Sequence, residues 1–346
     1  MRQVTKYYSR CRYRCQRYIC YVWYISCLLP MLLAGCTLDN ELEVCPYNVR
    51  FSYQVCDGRG FATSDYPLRQ IRQFVNDAQG VLVGEFPGQS CETGVGTLNL
   101  PPGDYTLVAW GNTADSLCAL HGIVPKESRM EEGTIGACHY QNSTNTREAM
   151  NTREEAGDEP EYRNTDLMYY GRIPFSVSAY GLAEYEVGMM HAHARLNLTI
   201  EWKDEVPEAL MRADSPVMRI SGVGTGYGFA GGETWGDYLF PNPHPPTEKG
   251  TYRSDVTIDV QYKVRASFVT FRLRDEDHPV VTLTHRDEVL MKEVDLHRYF
   301  AVMGIGLTRN LRQEFDLTIR IEHDRTVIME TDVSGWEDGG DVGTNF

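Results

Sequence analysis

The chain has 346 residues, with 48 acidic against 33 basic side chains and a formal net charge of -15 at pH 7. That length allows one large domain or two of ordinary size. The acid surplus excludes a nucleic-acid surface, which needs a basic stripe, and a polybasic membrane patch on the folded part.

The charge is unevenly placed. No acid precedes Asp39, and Arg2, Lys6, Arg10, Arg12, Arg14 and Arg17 make the start basic. The run Tyr18 to Gly35, YICYVWYISCLLPMLLAG, then carries no charge. Basic, then apolar, then small residues is the layout of a secretory signal. A permanent spanning helix is the alternative reading. It needs about 20 apolar residues, and Pro30 would break this run near its end.

The residues Leu33, Ala34, Gly35 and Cys36 resemble the lipobox of bacterial lipoproteins. The resemblance implies cleavage just before Cys36, a diacylglycerol on its thiol, and usually an acyl chain such as palmitate on the new amino group. Two or more chains hold a protein stably at a bilayer. Residues 1–35 are then a lipoprotein signal peptide and 36–46 a lipidated acidic linker, with Asp39, Glu41 and Glu43 as a solvated spacer. In some bacteria such a spacer resembles a surface-export signal. The lipid on Cys36 is the only attached group expected; no cofactor and no metal are called for.

Cys11, Cys15, Cys20 and Cys27 would leave with the signal, whereas Cys45, Cys56, Cys91, Cys118 and Cys138 stay. Cys45 and Cys56 flank one extended stretch, which separates them by more than about 30 Å, too far for a bridge. Cys118 and Cys138 could close a loop.

Alternation dominates from there on. Tyr47, Val49, Phe51, Tyr53 and Val55 fall on one strand face, and Asn48, Arg50, Ser52 and Gln54 on the other. RQFVNDAQGVLVGEF reads as strand, turn at Asp77 to Gly80, strand. GTLNLPPGDYTLVAWGN reads as another strand pair turning at Pro101 to Asp104. DLMYYGRIPFSVSAY closes the group. NTREAMNTREEAGDEPEYRNTD has almost no large apolar residues and is expected to be a mobile insertion.

In the second half, Ala194, Leu196, Leu198, Ile200 and Trp202 alternate with polar residues. So do Val256, Ile258, Val260, Tyr262 and Val264, and later Phe315, Leu317, Ile319 and Ile321. SFVTFRL and RTVIMETDVSGW read as further strands. PNPHPPTEKG cannot enter a sheet interior. Only DEVPEALMRAD and DEVLMKEVDLHRYF suggest short helices. Clean alternation belongs to antiparallel sheets with one wet face. The fold class is therefore all-β, with two antiparallel β-sandwich domains at 47–183 and 184–346.

In order along the chain stand the lipobox cysteine, acids, Cys45-Pro46, a VRFSY strand, VNDAQGVLV, LPPGDYTLVAWGN, MYYGRIPFSV and a closing VSGW (Val333 to Trp336). Together they resemble the FimB/Mfa2 family of fimbrial anchor lipoproteins of Bacteroides-like bacteria. That resemblance implies two tandem transthyretin-like sandwiches and a surface-exposed lipid anchor in the outer membrane. Fimbrial structural subunits are the implied partners, and the implied role is to hold their polymer and limit its length. An open sandwich edge could take a strand from a neighbour. A surface glycan-binding lipoprotein and a tip adhesin of the same superfamily are the alternatives.

His191 and His193 share a strand face that continues with Arg195, Asn197 and Glu201, so they are expected as a solvated pair rather than a metal site. GVGTGYGFAGG lacks the GKS/T or following helix of a phosphate loop, and reads as a glycine-rich turn or kinked strand. WEDGGD fails the EF-hand spacing. Neither HExxH nor GxSxG occurs. The protein is therefore read as not an enzyme.

Overall fold

The computed structural model describes residues 47–56, 68–87, 94–113, 117–140, 160–211, 216–229 and 248–332, apart from 260, 287, 309, 311, 323 and 324. The first ten strands are β1 (Val49–Val55), β2 (Ile71–Asp77), β3 (Leu82–Pro87), β4 (Val95–Leu98), β5 (Gly103–Gly111), β6 (Cys118–His121), β7 (Thr134–Ala137), β8 (Glu161–Tyr162), β9 (Tyr169–Val177) and β10 (Ala183–His191). The rest are β11 (His193–Trp202), β12 (Val217–Gly224), β13 (Gly226–Gly228), β14 (Lys249–Asp255), β15 (Thr257–Ile258), β16 (Val264–Phe271), β17 (Val280–His285), β18 (Glu288–Asp295), β19 (Gln313–Glu322) and β20 (Arg325–Asp332). One short helix, α1 (Leu296–Val302), follows β18. The described residues are thus all-β, as the alternation requires.

Seven strands form one sheet in the order β3-β2-β5-β9-β10-β1-β4. In a flat sheet β1 and β2 would lie about 19 Å apart, four spacings of roughly 4.8 Å. Instead the Tyr53 hydroxyl on β1 donates to Gln73 Oε1 on β2 at 2.7 Å. Phe51 on β1 also meets Phe175 on β9 edge-on, with centroids 5.1 Å apart. The sheet therefore folds over on itself as a sandwich. The fold line falls between β9 and β10, which pair over only two residues, Met190 with Tyr170 and His191 with Tyr169. Inside lie Val49, Phe51, Val75, Leu107, Ala109, Phe175 and Val187.

The other face of β2, β5 and β9 is covered too. Phe74, Val108, Trp110 and Tyr170 belong to a core that runs through the small sheet β13-β7-β6 into the second half. There the sheets β15-β16-β11-β19-β20 and β18-β17-β12-β14-β8 share Leu196, Phe268, Leu317, Ile220 and Leu283. The chain passes from the first sheet to the next at Ala192, between β10 and β11.

Several expectations are met and several are not. Asp77 N and Gly80 N close the β2–β3 turn through Val81 O and Asp77 O, both at 2.9 Å. The Asp77 side chain accepts from Gln79 N and Val81 N. β4 and β5 both form, but not as a pair. β4 joins β1, while β5 has β2 and β9 on its two sides. The alternation from Val256 to Val264 is not one strand either. Asp259 accepts from Gln261 N and Lys263 N, Tyr262 sits at φ 59, and the chain turns back so that Thr257 faces Arg265. Val260 lies outside the described residues.

DEVLMKEVDLHRYF is strand β18 followed by α1, not one helix. Its pairing with β17 shifts register twice. Such bulges set two neighbours on one side, so Leu290, Met291 and Val294 are all buried at a spacing that mimics a helix face. DEVPEALMRAD keeps only a 3₁₀ turn at Glu208–Met211. Of the stretch 145–166 expected as a mobile insertion, residues 145–159 lie outside the described residues, but its end is bound into the fold: Glu161–Tyr162 form β8 along β14, and Thr165 N donates to Val269 O at 2.8 Å. Residues 241–247 of PNPHPPTEKG and VSGW also lie outside the described residues, whereas Lys249 and Gly250 already begin β14.

The described part of the glycine run, 222–229, is kinked strand, one of the two forms expected. β12 shifts register between Ile220 and Val223, and Gly222 stands at φ +75. A Cβ there would come 2.3 Å from His278 O. Gly222→Ala should therefore cost about 2 kcal/mol, combining left-handed strain with a clash against main chain. An unchanged thermal unfolding midpoint would show that the loop at His278 gives way instead.

Candidate functional site

Leu33, Ala34, Gly35 and Cys36 lie outside the described residues. The strand that the linker leads into is described. β1 begins 13 residues after Cys36 and is an interior strand of the folded sheet. All seven of its residues pair in parallel with β10, Val49 with Ala183 through Val55 with Met189. On its other side it is antiparallel to β4. Asn48 adds a clasp: its amide donates to Leu100 O at 2.7 Å, and its oxygen accepts from Leu100 N at 3.0 Å. Val49, Phe51, Tyr53 and Val55 are buried. A pull along such a strand loads two ladders and a buried face together, rather than peeling one bond at a time.

Edges are the second surface of interest. β3 and β4 end the folded sheet, β15 and β20 end one sheet of the second half, and β18 and β8 end the other. β18 is the best protected, with its bulges and exposed Glu288, Lys292, Glu293 and Asp295.

The histidine pair is not solvated, contrary to the expectation. Residues 187–194 are buried without a break, because the crossover at Ala192 runs with cover on both faces. His193 Nδ1 donates to Met168 O at 2.8 Å, which fixes the proton on that nitrogen. The two imidazoles stand 5.3 Å apart, and Tyr169 lies against both. Arg272 donates to His191 O at 3.0 Å and also to Asn310 O. Gln313 bonds Leu273 N and O, each at 2.7 Å. Glu314 takes Arg195 and Arg312 at 2.9 Å each. Burial lowers the pKa of His193 to about 4 and that of His191 well below the usual value. This is a neutral, internally bonded brace rather than a solvent-facing site.

Cys118 is a buried thiol 3.5 Å from Met168 Sδ, and burial pushes its pKa up to about 12. No bridge joins it to Cys138. Cys118 faces Ala137 across β6 and β7, so the alternation turns Cys138 to the other side.

A sequence model of the Fimbrillin-A associated anchor proteins Mfa1 and Mfa2 matches residues 42–338. The chain belongs to this family. Mfa2-family membership makes it a fimbria-associated envelope protein and not an enzyme. Among solved structures, the fimbrial anchor protein Mfa2 from Porphyromonas gingivalis is 14% identical with a TM-score of 0.55, over 84% of this chain and 98% of that one. A candidate polysaccharide-binding protein from Bacteroides thetaiotaomicron is 11% identical with a TM-score of 0.58, over 81% and 95%. A candidate adhesin from the same species is 15% identical with a TM-score of 0.55, over 84% and 100%. At such identities these likenesses establish the fold alone. No curated protein matches the sequence. Among the described residues, no helix is long and apolar enough to cross a membrane.

Proposed function

We propose that this Mfa2-family protein is the lipid-anchored base of a fimbria. It holds the first structural subunit at the outer membrane and limits the length of the polymer. The family match over residues 42–338 carries the reading. Two further features support it. The lipobox Leu33-Ala34-Gly35-Cys36 stands five residues before that span. The linker also enters an interior strand, β1, suited to bearing tension. Two tandem transthyretin-like halves complete the proposal; the pairing of β10 with β1 and β9 favours a junction at Ala192 over the one read from the sequence between 183 and 184.

Cys36→Ala tests the anchor. The protein should leave the membrane fraction, since a chain without its acyl groups loses about 0.8 kcal/mol of membrane affinity per buried methylene. Retention equal to wild type would reject lipidation at Cys36. Deleting the protein tests the role: fibres should be shed or overlong. Normal attached fibres, immunogold label at fibre tips, or saturable polysaccharide binding with no fimbrial subunit bound would each speak against it.

A further inference from the structure

His278, Asp295 and His297 come together at one end of the β17–β18 hairpin, outside the core and the histidine brace. His278 and Pro279 lead into β17, Asp295 closes β18, and His297 is the second residue of α1. The register sets Val280 opposite Asp295, and Leu296 N donates to Pro279 O at 2.9 Å. That pairing lays His278 beside α1. The two imidazole centroids are 4.3 Å apart with planes at 48°, too inclined for a stack. One ligand atom from each of the three residues lies within 4.8 Å of the others.

The backbone beneath is held firmly. Buried Asp277 accepts from Arg274 N at 2.8 Å and pairs with Arg274 at 3.1 Å and Lys249 at 3.2 Å. Gly222 lets β12 approach His278 O. Asp295 Oδ1 accepts from Arg298 N at 3.1 Å, which seats the carboxylate at the start of α1.

We propose that His278, Asp295 and His297 bind a divalent transition-metal ion, zinc foremost, through two imidazole nitrogens and one carboxylate oxygen. Two nitrogens and one oxygen are a borderline donor set, unlike the all-oxygen shells of calcium and magnesium. Tetrahedral zinc, with bonds of about 2.0–2.2 Å, needs its ligand atoms about 3.3 Å apart. The ligand atoms lie within 4.8 Å of one another, so the ion would draw the exposed His278 and Asp295 side chains inward. Three protein ligands leave a fourth position facing solvent, as in zinc sites that accept an external ligand. The ion would tie α1 to the start of β17.

The full chain, purified in detergent without a histidine tag, is titrated with zinc by calorimetry and with cobalt(II) by visible absorption. One ion per chain and tetrahedral cobalt bands in the visible are expected. His278→Ala and His297→Ala should each weaken binding by on the order of a hundredfold, no less than losing an outer-shell partner costs. Asp295→Asn should weaken it less, because the amide oxygen is a poorer ligand. The metal-free variants should unfold at the wild-type midpoint, which separates ligand loss from misfolding. No stoichiometric binding would overturn the proposal. So would unchanged binding in the His278→Ala/His297→Ala double variant, or an intense thiolate-to-cobalt band, which would place the ion on cysteine.

Discussion

Lowering the pH from 7 to 4 should remove about 3 kcal/mol of folding stability through His193 alone. His193 is 1% exposed, and its pKa lies at about 4. Burial is the main cause, with Arg272 and Arg195 adding to it. The Met168 carbonyl and Glu314 oppose the shift. An unfolded histidine titrates near 6.5. Between those values the unfolded chain binds the proton and the folded chain does not, so stability falls as pH falls. The contribution is complete above about 6.5, declines through the interval, and is gone below about 4. His191 is shifted the same way by burial, then by His193, Arg272 and Arg312, and deepens the loss. Carboxylates with depressed values, such as Glu201 beside Lys263, also lose stability in acid, but from a lower starting pH. A His191→Gln/His193→Gln variant separates the two groups. Denaturant midpoints of the native protein should drop steeply between pH 6.5 and 4.5, and those of the variant should stay nearly level there. A native midpoint that is flat over this interval would refute the buried, neutral state of the pair.

Strands were legible wherever a single face is buried. Val49, Phe51, Tyr53 and Val55 on β1, and Leu196, Leu198 and Ile200 on β11, sit inside as their alternation requires. Legibility failed where that condition lapses. Residues 187–194 are covered on both faces, so a two-residue period says nothing about the exposure of His191 or His193 there. The bulges of β18 gave a strand the spacing of a helix. Strand partners failed for a different reason. Nothing local to GTLNLPPGDYTLVAWGN states that β5 finds both neighbours, β2 and β9, elsewhere in the chain. The candidate site divides in the same way. The lipobox is a contiguous signal. His278 and His297 are nineteen residues apart and meet only because β17 and β18 pair with Val280 opposite Asp295.

Trp110→Ala should cost about 4 kcal/mol and lower the thermal midpoint by on the order of 10 °C. Trp110 is fully buried on β5, in a sheet whose other face has its own core. It pairs across strands with Tyr170, centroids 4.8 Å apart, and stacks on Tyr227 of β13 at 5.9 Å and 21°. Phe229 closes the group at 6.0 Å. Trp110 therefore joins the folded seven-stranded sheet to the small sheet β13-β7-β6 and, through it, to the second half. Truncation removes the transfer energy of an indole and leaves a cavity that the neighbouring strands β2, β9 and β13 cannot collapse to fill. The position matters beyond the size of the loss. A cavity in the shared core weakens coupling between the halves, so unfolding followed separately in each should cease to coincide. Tyr180→Ala is the control: at 91% exposure it should change stability by no more than about 0.5 kcal/mol. If Trp110→Ala also stayed within that range, the aromatic group would not be what joins the two halves. A large loss with coincident transitions would mean instead that other contacts still bind them into one cooperative unit. For a protein proposed to bear a fibre's pull, that coupling decides whether tension on β1 is shared by the whole fold or taken by its first half alone.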